Sequence, residues 1–113
     1  MNFPGVARGA SIAFASDLTP AAGMSSSSAL LVMTFLLLAD VNHLSSHAEF
    51  LQHIRRREDL SGYLGTVENG QSFGRLVGDR GVGTFGGSED HTAILCSKPD
   101  QLGQYSYCPV RHE

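Results

Sequence analysis

The chain has 113 residues, a net charge of −3 and 17% charged side chains. That is one domain or part of one, able to bury a modest core and without the basic excess that would draw nucleic acid or an anionic membrane. Two cysteines are too few for a disulfide scaffold, and the apolar run Ala29–Ala39 is shorter than the roughly 20 residues a bilayer requires.

In chain order, Met1-Asn2-Phe3-Pro4 has neither a basic segment nor an apolar run, so no signal peptide is visible and a cytoplasmic chain is expected. Gly9–Ser16, GASIAFAS, alternates weakly around Ile12 and Phe14 and predicts a strand. Asp17–Gly23 is a turn: Pro20 cannot continue a central strand and Gly23 permits unusual backbone angles. A helix is predicted next, from about Ser25 to Asp40, and is expected to be buried on most sides. Asn42–Ser46 breaks it. A second helix is predicted from Ser46, which forms a capping-box pattern with Glu49; Phe50, Leu51 and Ile54 form its apolar stripe. Leu60, Tyr63, Leu64 and Val67 continue at helical spacing, with a break expected at Ser61-Gly62, and Glu68-Asn69-Gly70 ends the segment. Arg55, Arg56 and Arg57 are followed at once by Glu58 and Asp59, the pattern of a solvated helix face.

Gly70–Gly87 is a long glycine-rich loop that lacks the dinucleotide fingerprint in its strand–helix setting. Thr92–Cys96 and Gly103–Val110 predict two strands joined by the turn Lys98-Pro99-Asp100. Cys96 and Cys108 are read as reduced core residues of these strands, the alternative being a disulfide across an antiparallel sheet. The expected fold class is α+β, with a strand–loop–helix core and a C-terminal hairpin.

The stretch Leu18–Ala39, LTPAAGMSSSSALLVMTFLLLA, joins a loop of small residues to an apolar helix through four serines. The first N–H groups of a helix have no partner within it and carry the positive end of its dipole, so an anion, above all a phosphate, fits there. The plainer reading is a serine-capped core helix, which accounts for one serine of the four. The Walker form GxxxxGK[ST] is absent. Elsewhere the bland readings prevail. Asp90 after two glycines and a serine–glutamate pair suits a turn or cap, and Glu89-Asp90-His91 are too close in sequence to converge on one ion. His43 and His47 straddle the helix break without an obvious third ligand.

Three stretches, in order, resemble the GHMP small-molecule kinases, and galactokinases in particular. DLTPAAGMSSSSAL is similar to the family's D-x-P-x-G-A-G-L-S-S-S-A loop; Glu68-Asn69 with Phe73-Gly74 is similar to A-E-N-x-F-x-G; Gly87-Ser88-Glu89-Asp90-His91 is similar to G-I-M-D-Q. HTAILCSKPDQLGQYSYCPV also resembles the family's segment after G-I-M-D-Q, so the likeness runs from about Gly9 to Val110. It implies an α+β domain and ATP- and Mg²⁺-dependent phosphorylation of a small molecule, the 1-hydroxyl of galactose or a related sugar. By the same resemblance Ala22, Gly23, Met24 and Ser25 would cradle the nucleotide phosphates through backbone N–H groups, with Ser26 and Ser27 near phosphate. Ser27 and Glu68 would be linked to Mg²⁺, Asp90 would act on the sugar hydroxyl proton as the catalytic residue, and Gly87 and Asp90 would contact the sugar.

The chain departs from the galactokinase pattern in several places. Ala21 replaces the first loop glycine, and the Glu68–Asp90 spacing is longer. The sugar-gripping R-V-N-L-x-G-E-H motif and the glycine-rich G-x-G-F-G-G motif are not found, so residues 1–113 are expected to be a single partial domain with little activity alone. Two alternatives stay open: a non-catalytic nucleotide-binding or interaction fragment, and another GHMP kinase, acting on mevalonate, homoserine or another sugar.

Overall fold

The fold is taken from a computed structural model, which describes residues 3, 8–17, 26–81, 87–107 and 109–113. Helix α1, Ser26–Val41, holds the serine-to-apolar run. Its end is fixed by Asn42, whose Nδ2 donates to Leu38 O, and by His43, which turns out of the helix in the left-handed region (φ 51°). Asn42 also ties down an earlier segment: its Oδ1 accepts the Arg8 N–H and its Nδ2 donates to Arg8 O, each at 2.9 Å. Residues 9–16, expected as a strand, form none. They are exposed and belong to no ladder among the described residues, and period-two alternation makes a strand only where another backbone takes up its N–H and C=O groups.

A 3₁₀ turn, Leu44–Ser46, leads to the short α2, Ala48–His53. The capping box expected at Ser46 is not formed. His47 is the N-cap, and the Ser46 hydroxyl instead donates back to His43 O at 2.8 Å. Helix α3, Arg57–Asn69, starts where the Asp59 carboxylate accepts the N–H groups of Arg55 and Arg56, satisfying donors that would otherwise be orphaned. The helix break therefore falls at Ile54–Arg56, not at Ser61-Gly62. Gly70 (φ 75°) closes α3 as expected, in a conformation that costs glycine little. An ideal Cβ there would lie 2.5 Å from Asp79 O.

Ser61, Gly62 and Gly65 are buried in α3, where their small size allows close packing. A Cβ on Gly65 would approach Ser88 Cβ to 2.8 Å, and the Thr92 hydroxyl lies 3.1 Å from Ser61 Oγ. Gly62 faces Phe73 and Val110. What Ser61 and Gly65 receive is α4, Glu89–Cys96, which occupies the region expected as a strand at Thr92–Cys96. Two acidic residues, Glu89 and Asp90, begin α4 and complement its dipole, and the buried residues His91 and Leu95 recur at helical spacing. Cys96 is thus a half-buried helix residue, not a strand residue, and Cys108 lies outside the described residues. The hairpin is shorter and later than expected: β1, Tyr105–Ser106, pairs antiparallel with β2, Arg111–His112, with Tyr105 opposite His112. The described chain is therefore mostly helical with one two-stranded hairpin.

The core comprises Val32, Ile54, Leu60, Tyr63, Leu64, Leu76 and Leu95. The Tyr63 ring lies at its centre, 5.9–6.3 Å from the rings of Phe3, Phe35 and Phe73 in edge-on geometry. Leu76 enters from the glycine-rich loop, whose first part is a tight turn with mutual backbone hydrogen bonds between Phe73 and Leu76. Helix α1 is less covered than its composition suggests. Leu30, Leu36, Leu37 and Leu38 are exposed. No helix among the described residues is long and apolar enough to cross a membrane.

Candidate functional site

Three helices converge on one carboxylate. Glu68, in the last turn of α3, accepts a hydrogen bond from the Ser28 hydroxyl in the first turn of α1 at 3.0 Å. The same oxygen, Oε2, lies 2.6 Å from His91 Nε2 in the first turn of α4. Ser28 and His91 are 4% and 3% exposed, and the Glu68 side chain 14%. A carboxylate in this setting only accepts, so both neighbours must donate, and the His91 proton sits on Nε2. Hydrogen bonds with an ionised partner are short and strong, which suits the 2.6 Å separation. Among the described residues both hydrogen bonds of the carboxylate fall on Oε2.

The loop residues Ala22, Gly23, Met24 and Ser25, expected to cradle phosphate, lie outside the described residues, as does the side chain of Ser26. Ser26 and Ser27 are the first described residues of α1. The Ser27 side chain is exposed; it is the next serine that reaches Glu68. Gly87 is exposed, and a Cβ there would meet nothing within 4 Å. Asp90 is exposed in the first turn of α4, beside buried His91. The structure thus brings Glu68 to the start of the serine helix and puts Asp90 on the helix that Glu68 grips through His91.

Sequence reasoning took Ser28 only as one of four serine hydroxyls able to cap the helix or meet a phosphate or cation, not as the partner of Glu68, and it missed His91. Each sits one position after a residue that the motif resemblance picked out. Ser28 shares a helical face with buried Val32, but a helix that is apolar on every side gives no sign of which serine points inward. His91 gives no local sign at all, since its partner is 23 residues away.

A separate cavity of about 660 Å³ opens between the start of α3, α4 and the hairpin, lined by Arg57, Glu89, Cys96, Lys98, Tyr105 and Tyr107 among others. Ser28, Glu68, His91 and Asp90 are not part of its wall. Burial, together with the nearby Glu58 carboxylate, pushes the Cys96 thiol above its ordinary pKa; Arg57 opposes this more weakly.

Comparison with known proteins adds a single match. Residues 2–69, from before the serine loop to the end of α3, match the model of the GHMP kinases N terminal domain. No curated protein and no solved structure matches the chain. The match spans more than half of the sequence and includes both Ser28 and Glu68, so the chain belongs to the GHMP kinase family through its N-terminal domain.

Proposed function

We propose that the chain binds Mg-ATP at the start of α1 and serves the phosphorylation of a sugar hydroxyl, with galactose the first candidate. The family supports ATP-dependent phosphorylation of a small molecule in general terms. The observation that carries the siting is the hydrogen bond from Ser28 to Glu68, which sets a carboxylate against the first turn of the serine helix. In this reading the backbone N–H groups of Ala22–Ser25, with Ser26 and Ser27, receive the phosphates.

The oxygen donors suit a hard cation. Mg²⁺ is held by one or two carboxylates together with substrate phosphates and water, not by an all-protein cage. The described residues offer that kind of set: the Glu68 carboxylate with a serine hydroxyl, Ser27 or Ser28, and no cluster of three or more His, Cys, Asp or Glu. When bound, the ion would neutralise charge on the phosphates undergoing transfer. Asp90 is assigned to accept the proton of the attacking hydroxyl, a role its exposure in the first turn of α4 leaves open to substrate. Gly87, three residues earlier, would present backbone to the substrate.

Calorimetric titration with Mg-ATP tests the nucleotide site. The wild-type chain should bind, and Ser27→Leu should weaken binding by obstructing the helix start; an unchanged affinity would remove the site from α1. ADP release measured with galactose, mevalonate and homoserine, each against Asp90→Asn, tests the substrate. The chain alone should release little ADP with galactose; clear turnover that Asp90→Asn abolishes would show a complete enzyme, and turnover on mevalonate or homoserine but not on galactose would overturn the sugar assignment.

A further inference from the structure

We propose that His91 is a positioning residue for the metal-binding carboxylate: its Nε2–H holds Glu68 against the first turn of α1, where the carboxylate would serve a nucleotide-bound cation. The inference rests on the Mg-ATP reading of Ser28 and Glu68 and assigns a role that reading does not require.

Four observations carry it. The contact is short, 2.6 Å, and the imidazole is 3% exposed, so water does not compete for the bond. Two donors from two different helices meet on one oxygen, which fixes the rotation of the carboxylate as well as its location. His91 Nδ1 is buried and has no hydrogen-bond partner among the described residues. A bare Nε2 would set its lone pair against Oε2, so the nitrogen that faces Glu68 is the one that donates. Finally, the ring is held in place by the packing of α4 on α3: the Thr92 hydroxyl donates to Ser88 O at 2.7 Å and lies 3.1 Å from Ser61 Oγ, and Gly65 leaves room for Ser88. Because Asp90 is the adjacent residue on α4, the same bond also registers the helix of the proposed base against the start of α1.

Groups that orient a ligating side chain through a hydrogen bond change metal affinity by about 10–100-fold when removed. The test uses the full chain and Mn²⁺ as a paramagnetic probe. Mn²⁺ binding in the presence of ATP is followed by electron paramagnetic resonance, and metal-free ATP binding is measured separately in chelator. His91→Leu should weaken Mn²⁺ binding by about tenfold or more and change metal-free ATP binding by less than about twofold. His91→Gln, whose side-chain amide can donate from near the same point, should recover most of the loss. Two results would overturn the role of His91 alone: unchanged Mn²⁺ affinity in His91→Leu, or equal losses in the Leu and Gln variants when both show wild-type circular dichroism. Wild-type Mn²⁺ binding unaffected by Glu68→Gln would instead overturn the metal reading itself, and the proposal with it.

Discussion

The Ser28 hydroxyl and the Glu68 carboxylate, forty residues apart in sequence, are 3.0 Å apart in the fold, and their bond links the first turn of α1 to the last turn of α3. It predicts an asymmetry within the serine run. A hydrogen bond to a charged group contributes about 1.5–3 kcal/mol, so Ser28→Ala should lower unfolding free energy by about that amount. Ser27→Ala, at an exposed side chain, should stay within about 0.5 kcal/mol of wild type. Urea denaturation of the two variants side by side checks this, and equal effects would contradict the geometry.

Gly65 is required by the α3–α4 contact and not by its own backbone angles. Alanine there would ordinarily favour a helix by about 1 kcal/mol. Here its methyl would lie 2.8 Å from Ser88 Cβ and 3.0 Å from Ser88 Cα, and the backbone at Ser88 cannot move without shifting the start of α4. Overpacking of this kind costs about 1–3 kcal/mol, enough to outweigh the propensity gain. Thermal unfolding should show Gly65→Ala melting below wild type; a higher melting temperature would mean that the helices are not so close.

Leu76 belongs to the glycine-rich loop by sequence and to the core by position, 2% exposed. Leu76→Ala should therefore behave as a core truncation, with a loss of about 2–5 kcal/mol measured in denaturant. Leu102, fully exposed, should tolerate the same substitution within about 0.5 kcal/mol.

Cys96 should react slowly as a nucleophile. Its thiol pKa is raised, first by burial and then by Glu58, and only the thiolate is alkylated. In a Cys108→Ser background, the iodoacetamide rate at about pH 8, just below the ordinary thiol pKa, should be below that of a free thiol. It should keep climbing at pH values where the free thiol has levelled off. Glu58→Gln should shift that profile toward lower pH, since it removes a negative charge that disfavours the thiolate. A profile identical to that of a free thiol would count against the half-buried placement.

What the sequence determined by itself is local. The small-residue loop, the serines and the apolar run specify a helix that the structure bounds at Ser26–Val41, and Gly70 stops α3 because it can take a left-handed conformation at little cost. The motif resemblance pointed to the family because it depends on the order of residues along the chain, and to Glu68 for the same reason. Tertiary structure decided the rest. Residues 9–16 have the alternation of a strand and form none, while Thr92–Cys96 are apolar enough for a strand and form a helix, which packs on α3 at Ser61 and Gly65. Ser61-Gly62 looks like a break along the chain, yet Ser61 meets Thr92 of α4 and Gly62 makes room for Phe73 and Val110. Ser28 and His91 became visible only once three helices met on Glu68, since a hydrogen bond across 40 or 23 residues leaves no trace in the local pattern on either side.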